Sequence, residues 1–201
     1  MRIQWKACIY LFFLVALFFS GCATPPPYKP VVTPVKPPTI KKEQPYIVKQ
    51  LDRYTVRDWK YVVIHHSASD SGNAARFDKN HREIRHWENG LGYHFVIGNG
   101  RGSGDGQIEI GNRWIKQIDG AHANVHEYNH FGVGICLVGN FNTTNPTANQ
   151  MTSLITLAKY LQERCRIPSE KIVLHRSVRE TECPGRNFPY YKLLAEIARF
   201  P

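Results

Sequence analysis

An apolar run that ends in two histidines constrains this chain more than any other stretch. It reads V-V-I-H-H-S-A-S over residues 62–69, so valine and isoleucine lead directly into polar groups. Such a run is typical of a buried strand whose end carries side chains into a functional site. Because successive strand residues point to opposite faces, only one of His65 and His66 can face a given cleft. A site here therefore needs partners from elsewhere in the chain.

The best partners lie near the C-terminal end, in the sequence V-L-H-R-S-V-R-E-T-E-C-P-G. His175 follows a short apolar segment there, and Cys183 precedes Pro-Gly in a polar loop. A catalytic zinc ion takes three protein ligands and leaves a fourth position for water. Two imidazoles and a thiolate from His65, His175 and Cys183 would meet this need. Spacing alone is not specific in a chain with 9 histidines, so structural or surface histidines stay an alternative.

Helical and strand patterns alternate along the chain from about residue 57. Strands are predicted at 61–64, 93–97, 107–110, 133–138 and 172–174, with a further short strand at 114–118. Helices are predicted at 77–87, 147–164 and 190–200, where apolar residues recur with the helical period. The glycine-rich segment 98–111 is predicted to be a hairpin connection rather than a phosphate loop, because it lacks a Gly-Lys-Ser/Thr ending. The fold class is therefore α/β, a mixed central β-sheet flanked by helices in a single domain.

Residues 1–21 have the parts of a secretory signal. Arg2 and Lys6 are followed by an apolar run and then by Ser20, Gly21 and Cys22. The Ser-Gly-Cys sequence resembles the lipobox of bacterial lipoproteins, although Phe19 stands where leucine is usual. That resemblance implies a lipoprotein signal peptide and lipid modification (palmitate) at Cys22. A single-span anchor is the alternative, but the run is short for a bilayer.

The predicted location follows from the same resemblance. Ala23 rather than aspartate follows Cys22, which in enteric-type bacteria implies sorting to the outer membrane. We therefore expect a protein on the periplasmic side of the envelope, held to the membrane by its N-terminal lipid. Proline recurs through residues 22–55 and favours an extended, semi-rigid tether. The folded domain is predicted to occupy residues 56–201.

The net charge limits the classes of binding partner, whereas the cysteines bear on how the domain is held together. The net charge is +10, but the chain has no helix-turn-helix pattern, zinc-finger spacing or dense basic run, so we expect no nucleic-acid partner. For an exported basic protein, we expect an anionic envelope polymer or a lipid surface as the partner. Three cysteines remain in the domain. Cys136 lies in an apolar run and is predicted to be a core residue, and a disulfide between Cys136 and Cys165 stays an open alternative.

Five segments occur in order between about Tyr61 and Phe188: V-I-H-H-S-A, G-Y-H-F-V-I-G, G-A-H-A, V-G-I-C-L-V-G-N-F and H-R-x-x-x-x-T-E-C-P-G. Together they resemble the zinc-dependent N-acetylmuramoyl-L-alanine amidase family, which includes phage lysozyme-type amidases and peptidoglycan recognition proteins. The resemblance implies a zinc hydrolase acting on peptidoglycan or muropeptides. It would cleave the amide between N-acetylmuramic acid and L-alanine, in cell-wall remodelling or recycling, and we expect it to act as a monomer.

Site residues carry over from the resemblance motif by motif. It implies Zn²⁺ ligands at His65, His175 and Cys183. It implies catalytic roles for Tyr93, beside the zinc-bound water, and for Thr181, two residues before the cysteine. His122 matches a groove histidine and Asn129 a substrate-contacting asparagine, so both are predicted to bind substrate. By its chemistry, His122 is also a candidate to protonate the leaving amine.

The match has two departures and leaves two other classes of function open. Leu174 and Ser177 replace a glycine and an aspartate that many members carry beside the second histidine. The first alternative is a non-catalytic peptidoglycan-binding module, against which the intact Cys183 argues. The second is a cysteine hydrolase that uses Cys183 with a histidine and needs no metal.

Overall fold

The computed structural model describes residues 44–198. Its strands are β1 (Tyr61–His66), β2 (Phe95–Ile97), β3 (Ile108–Ile110), β4 (Gly132–Leu137) and β5 (Ile172–Leu174). Its helices are α1 (Gln44–Leu51), α2 (Ala74–Glu83), α3 (Asn112–Lys116), α4 (His126–His130), α5 (Ala148–Cys165), α6 (His175–Val178) and α7 (Tyr190–Ile197). The predicted signal segment, Cys22 and the first part of the predicted tether lie outside the described residues. Within 44–198, the helices all fall short of the length and apolarity needed to cross a membrane.

The five strands form one mixed sheet in the order β3-β2-β4-β1-β5. β2, β4, β1 and β5 run parallel, and β3 is an antiparallel edge strand joined to β2 by the glycine-rich segment. The predicted α/β class and mixed central sheet are therefore confirmed. Because neighbouring parallel strands end at the same edge of a sheet, the residues that follow β1 and β5 come together there.

The two faces of the sheet have different surroundings. Alternate residues of β1 and β4 point to opposite faces. One face packs against α5 and α7 to form the main core, which includes Val62, Ile64, Val133, Ile135, Leu137, Leu154, Leu157, Leu161 and Leu193. On the other face, Val63 pairs with Gly134 and His65 pairs with Cys136. Each fully buried aliphatic side chain of the main core contributes roughly 1.5–3 kcal/mol. The other face carries a second, smaller apolar cluster of Leu91, Val96, Cys136 and Val138 beside the buried polar side chain of His65.

A capping box fixes the start of α5 against the sheet. Thr147 Oγ1 accepts a hydrogen bond from the Gln150 backbone N–H at 3.0 Å, and Gln150 Oε1 accepts one from the Thr147 N–H at 3.1 Å. The Gln150 amide nitrogen also donates to the carbonyl oxygens of Ile97 (3.1 Å) and Val138 (2.8 Å). One buried side chain therefore ties this helix to the ends of β2 and β4. The predicted helix start at Thr147 is confirmed.

Two predicted segments form a different element in the structure, and the helix predicted at 77–87 instead spans Ala74–Glu83. The strand predicted at 114–118 is replaced by the short helix α3, which buries Trp114 and ends at Gln117 in a left-handed conformation (φ 53°). The side-chain oxygen of Gln117 then accepts from the Trp59 indole N–H at 2.9 Å, so the helical turn secures two core tryptophans. Helix α1 lies inside the segment predicted as a tether. Its Leu51 is fully buried, so the folded domain begins before residue 56.

The cysteines of the described region are all free. Cys136 is buried on the sheet, as predicted for a core residue, while Cys165 and Cys183 are partly buried. The disulfide between Cys136 and Cys165 that the sequence left open is not formed in the structure.

Candidate metal centre

The sheet topology brings His65 and His175 together. His65 is the fifth residue of β1, and His175 is the first residue after the neighbouring parallel strand β5. Their ring centroids lie 4.4 Å apart. A short turn of helix, α6, then reverses the chain, with the Arg176 N–H donating to the Cys183 carbonyl at 2.8 Å. The turn returns Cys183 to the end of β1.

The sulfur of Cys183 completes a convergent set of donor atoms. Cys183 Sγ accepts a hydrogen bond from the His66 backbone N–H at 3.4 Å and lies 3.7 Å from His65 Nδ1. One ligand atom from each of His65, His175 and Cys183 lies within 4.8 Å of the other two. Among residues 44–198, these three side chains form a group of His, Cys, Asp or Glu residues that could hold a metal ion.

The hydrogen bonds of His175 leave one of its two ring nitrogens without a partner. His175 Nε2 lies 3.2 Å from the Ala123 carbonyl oxygen, which accepts its proton. His175 Nδ1 is buried and has no hydrogen-bond partner among the described residues. A buried polar atom without a partner is costly, and a metal ion would satisfy it. Two imidazoles and one thiol are the donors of a catalytic zinc site, so the residues present fit zinc.

Burial sets the protonation of these side chains. It lowers the pKa of His65 well below the usual value, with further lowering from His122 and His175, and it also lowers the pKa of His175. Both imidazoles are therefore neutral at pH 7, which is the form that binds metals. Burial raises the pKa of the Cys183 thiol to about 12. A cysteine nucleophile requires a lowered pKa, so this thiol is poorly suited to the metal-free cysteine hydrolase alternative.

A cavity of about 430 Å³ opens over the three donors. It also contains both predicted catalytic residues and His122. The residues lining it are His65, His66, Ala68, Tyr93, His122, Asn142, His175, Thr181, Glu182 and Cys183. The sequence therefore identified six of these positions, and the structure brings them together.

Tyr93 and Thr181 both line the cavity and carry neutral hydroxyl groups. The Tyr93 ring centroid lies 5.2 Å from that of His65, and burial raises the pKa of Tyr93 well above its usual value. Its hydroxyl therefore stays protonated at neutral pH. Thr181 Oγ1 accepts from the Cys183 N–H at 3.3 Å, which leaves the hydroxyl proton available to the cavity.

His122 and Asn129 are placed differently from the two other predicted side chains. Both ring nitrogens of His122 have partners: Nδ1 lies 3.0 Å from His65 Nε2, and Nε2 lies 3.2 Å from the Gly132 carbonyl oxygen. Asn129 is not among the residues that line the cavity. Its side-chain oxygen accepts from the backbone N–H groups of His122 (3.0 Å) and Ala123 (2.9 Å). Substrate binding by these two residues stays a prediction.

Two cavity residues were missed in the sequence. Asn142 Nδ2 donates to Glu182 Oε2 at 2.7 Å, and this pair forms part of the cavity rim. The sequence analysis did not single out either residue. The available signal was position alone, because Glu182 immediately precedes the cysteine and Asn142 immediately follows the V-G-N-F motif.

Fold and site together define a mixed-sheet α/β domain with a two-histidine, one-cysteine group at the end of its parallel strands. The sequence profile described as N-acetylmuramoyl-L-alanine amidase (Amidase_2) matches residues 55–186. This chain belongs to that family. The matched range contains all of the cavity-lining residues.

Individual relatives fall into two groups. The chain is 36% identical over 136 residues to peptidoglycan-recognition protein SC2 of Drosophila melanogaster, covering 63% of this chain and 68% of that protein. Among solved structures, the endolysin LysCS, an N-acetylmuramoyl-L-alanine amidase from Clostridium intestinale URNW, has a TM-score of 0.62 and 35% identity, covering 70% of this chain and 84% of that chain. Peptidoglycan recognition protein-LE in complex with tracheal cytotoxin has a TM-score of 0.56 and 30% identity, covering 70% and 82%. The neighbours therefore include both amidases and recognition proteins.

Proposed function

We propose that this chain is a zinc-dependent amidase that hydrolyses the bond between N-acetylmuramic acid and L-alanine in peptidoglycan or muropeptides. The observation that carries the proposal is the convergence of His65, His175 and Cys183 beneath a cavity that also contains Tyr93 and Thr181. Amidase relatives such as LysCS support the reaction, and the family membership supports the class of substrate.

In this proposal, His65, His175 and Cys183 hold the zinc ion. Zinc at such a site supplies Lewis acidity, which activates water at neutral pH and polarises the carbonyl that is attacked. The cavity is open to solvent and its lining is more polar than apolar, so the protein contributes by holding the ligands and the hydroxyl groups beside the position of the scissile amide.

Tyr93 and Thr181 act on the oxygen of the amide carbonyl. Negative charge develops on this oxygen as the carbonyl becomes tetrahedral, and fixed hydrogen-bond donors stabilise that charge. Both hydroxyls are protonated donors at neutral pH for the reasons given above. Removing one donor of this kind typically lowers kcat by about 10²–10³.

A binding-only module is the second candidate, because several relatives are named as recognition proteins and one was solved with a muropeptide-type ligand. The two candidates differ in one measurable product. An amidase releases a free stem peptide and a free lactyl carboxyl group, whereas a binding module leaves the muropeptide intact.

The decisive experiment is mass spectrometry of defined muropeptides incubated with the full chain. We expect cleavage between muramic acid and L-alanine, loss of cleavage after chelation, and recovery with Zn²⁺. Cys183→Ser should lose bound zinc and cleavage together. Cys165→Ser is the matched control, because Cys165 is another free cysteine that does not line the cavity. Intact muropeptides that stay bound would favour the recognition module, and cleavage undiminished by chelation would refute the zinc amidase.

We propose further that the enzyme is a lipoprotein on the periplasmic side of the envelope, anchored at the outer membrane through Cys22. The support is the sequence of residues 1–23, with its basic start, apolar run and Ser-Gly-Cys-Ala ending. Cys22→Ala should move the protein from the membrane fraction to the soluble fraction, and it should remove the lipid mass from the N-terminal peptide. A membrane fraction unchanged by this substitution would contradict lipid anchoring.

A further inference from the structure

A line of three polar groups crosses the buried side of the site. It runs from the Gly132 carbonyl oxygen to His122 Nε2 (3.2 Å), then from His122 Nδ1 to His65 Nε2 (3.0 Å). On the far side of the His65 ring, Nδ1 faces Cys183 Sγ at 3.7 Å. His65 and His122 are both buried, with 1% and 8% of their surface exposed.

The direction of every hydrogen bond in this line is fixed by its first member. A carbonyl oxygen only accepts, so His122 Nε2 must carry the proton. A neutral imidazole has one N–H and one lone pair, so His122 Nδ1 is then an acceptor. His65 Nε2 must therefore be the donor, which leaves the lone pair of His65 on Nδ1, the nitrogen that faces the sulfur.

The second histidine is held by the same loop. The Ala123 carbonyl oxygen, one residue after His122, accepts the proton of His175 Nε2 and leaves the lone pair on Nδ1. The loop itself is held by Asn129, whose side-chain oxygen accepts from the N–H groups of both loop residues.

We propose that His122 is a positioning residue, which together with the Ala123 carbonyl sets both ligand histidines in the tautomer whose Nδ1 lone pair faces the cavity. This assigns His122 to the support of the metal site rather than to substrate binding or to protonation of the leaving amine. The link to zinc rests on the proposed function, but the tautomers themselves do not.

Glycines make room for the His122 ring. On β4, an added Cβ at Gly134 would lie 2.5 Å from Cγ and 2.8 Å from Nε2 of His122. Both distances are well inside ordinary van der Waals contact. At Gly120, an added Cβ would lie 2.6 Å from His122 Nε2. The ring therefore occupies a slot from which side chains are absent on two sides.

The direct test is long-range ¹H–¹⁵N NMR of the zinc-free full chain labelled on histidine. We expect His65, His122 and His175 to be neutral at pH 7, each with its proton on Nε2. Observation of His65 with its proton on Nδ1 would overturn the proposal. This result needs neither substrate nor turnover, so it stands whether or not muropeptides are cleaved.

Zinc affinity, measured by competition with a chromogenic chelator, gives the second readout. Loss of a partner that orients a metal ligand typically costs 10–100-fold in affinity, and we expect this of His122→Leu. His122→Asn places an amide oxygen near the former Nδ1 position, so it should restore much of the lost affinity. Equal affinities for wild type and His122→Leu would overturn the proposal.

His94→Leu is the matched control for His122→Leu. His94 is also buried, accepts from the Gly134 N–H at 3.0 Å and lies 3.2 Å from the Ile118 carbonyl oxygen. Its ring lies 5.8 Å from that of His122, but neither of these hydrogen bonds involves one of the three ligands. Its loss should lower stability while the folded protein keeps its zinc affinity. If His122→Leu fails to fold, the NMR spectrum of the wild-type protein still decides the question.

Discussion

Substitution of Gly134 by alanine tests the slot beneath His122 in the clearest way. The new Cβ would clash with Cδ2 of the His122 ring and lie 2.5 Å from its Cγ, so the ring must move by about 1 Å to reach ordinary contact. A shift of this size breaks or badly distorts the 3.0 Å hydrogen bond between His122 and His65. Overpacking of a buried site costs about 1–3 kcal/mol. We therefore expect Gly134→Ala to lower the free energy of unfolding of the zinc-free protein by about 2 kcal/mol.

The destabilising effect of Gly134→Ala should disappear when the His122 ring is removed. The three nearest atoms to the added Cβ all belong to His122, so His122→Ala eliminates the clash. What remains is the smaller conformational entropy of alanine in the unfolded chain, which favours the folded state by roughly 0.4–1 kcal/mol. In the His122→Ala background, Gly134→Ala should thus be neutral or slightly stabilising.

The assay is a double-mutant cycle by urea unfolding in the presence of a chelator. The expected coupling between Gly134 and His122 is about 2–3 kcal/mol, well above the 0.3–0.5 kcal/mol scatter of independent sites. Zinc affinity of the Gly134→Ala single variant should fall with the stability. A cost for Gly134→Ala that is the same in both backgrounds would refute the reasoning, because the strain would then lie elsewhere.

Three further changes test other parts of the fold. Gln150→Leu should lower the free energy of unfolding in urea by about 3 kcal/mol, because it leaves the buried carbonyls of Ile97 and Val138 unpaired. A loss smaller than the contribution of one solvent-exposed hydrogen bond would contradict this expectation. Leu51→Ala should lower the free energy of unfolding by about 2–5 kcal/mol because Leu51 is fully buried, and an unchanged free energy would contradict a contribution of α1 to the folded domain. Burial lowers the pKa of His94 well below its usual value, so the unfolded chain alone takes up this proton below about pH 6.5. Stability should fall as pH drops, by about 1.4 kcal/mol at pH 5.5, and His94→Gln should lack this component; parallel pH curves for the two proteins would exclude it.

Local sequence patterns predicted most of the fold because each of these strands and helices carries the hydrophobic pattern or capping residues typical of its type. β1, β4 and β5 are short apolar runs, and α5 carries its own capping box at Thr147 and Gln150. Helix α1 was missed because its proline suggested a tether. Proline is tolerated in the first turn of a helix, and Ile47, Val48 and Leu51 lie on one helical face. The spacing of those three residues was the available signal.

The site was harder to predict because its contacts are long-range. The sequence supplied the His-His pair, but strand alternation alone left His65 and His66 equivalent. The structure separates them by their partners: His65 faces the donor set, while His66 Nδ1 accepts from the Phe141 N–H at 3.1 Å. Only folding brings Cys183 to the end of β1, 118 residues away in the chain. No local pattern reports such a contact.

The sequence of β4, rather than that of the loop around His122, indicates where the His122 ring packs. Gly132 and Gly134 are two residues apart, so they share the face of the sheet that also carries His65. Glycine weakens a strand interior and often marks close approach by another group. The missing side chains on that face therefore indicate that a ring from elsewhere packs onto the strand. The motif G-A-H-A identified the histidine but not the surface that receives it.

Backbone groups orient each of the three donors before any metal ion is involved. The His66 N–H holds the sulfur of Cys183, the Ala123 carbonyl holds His175, and the Gly132 carbonyl holds His65 through the ring of His122. A donor set that is already oriented loses little conformational freedom on binding an ion, whereas flexible ligands lose rotamer entropy at that step. The carbonyl and amide partners cannot be removed by side-chain substitution. His122 is the one side chain in these three supports, and this is why its substitution separates the orientation of the site from the identity of its ligands.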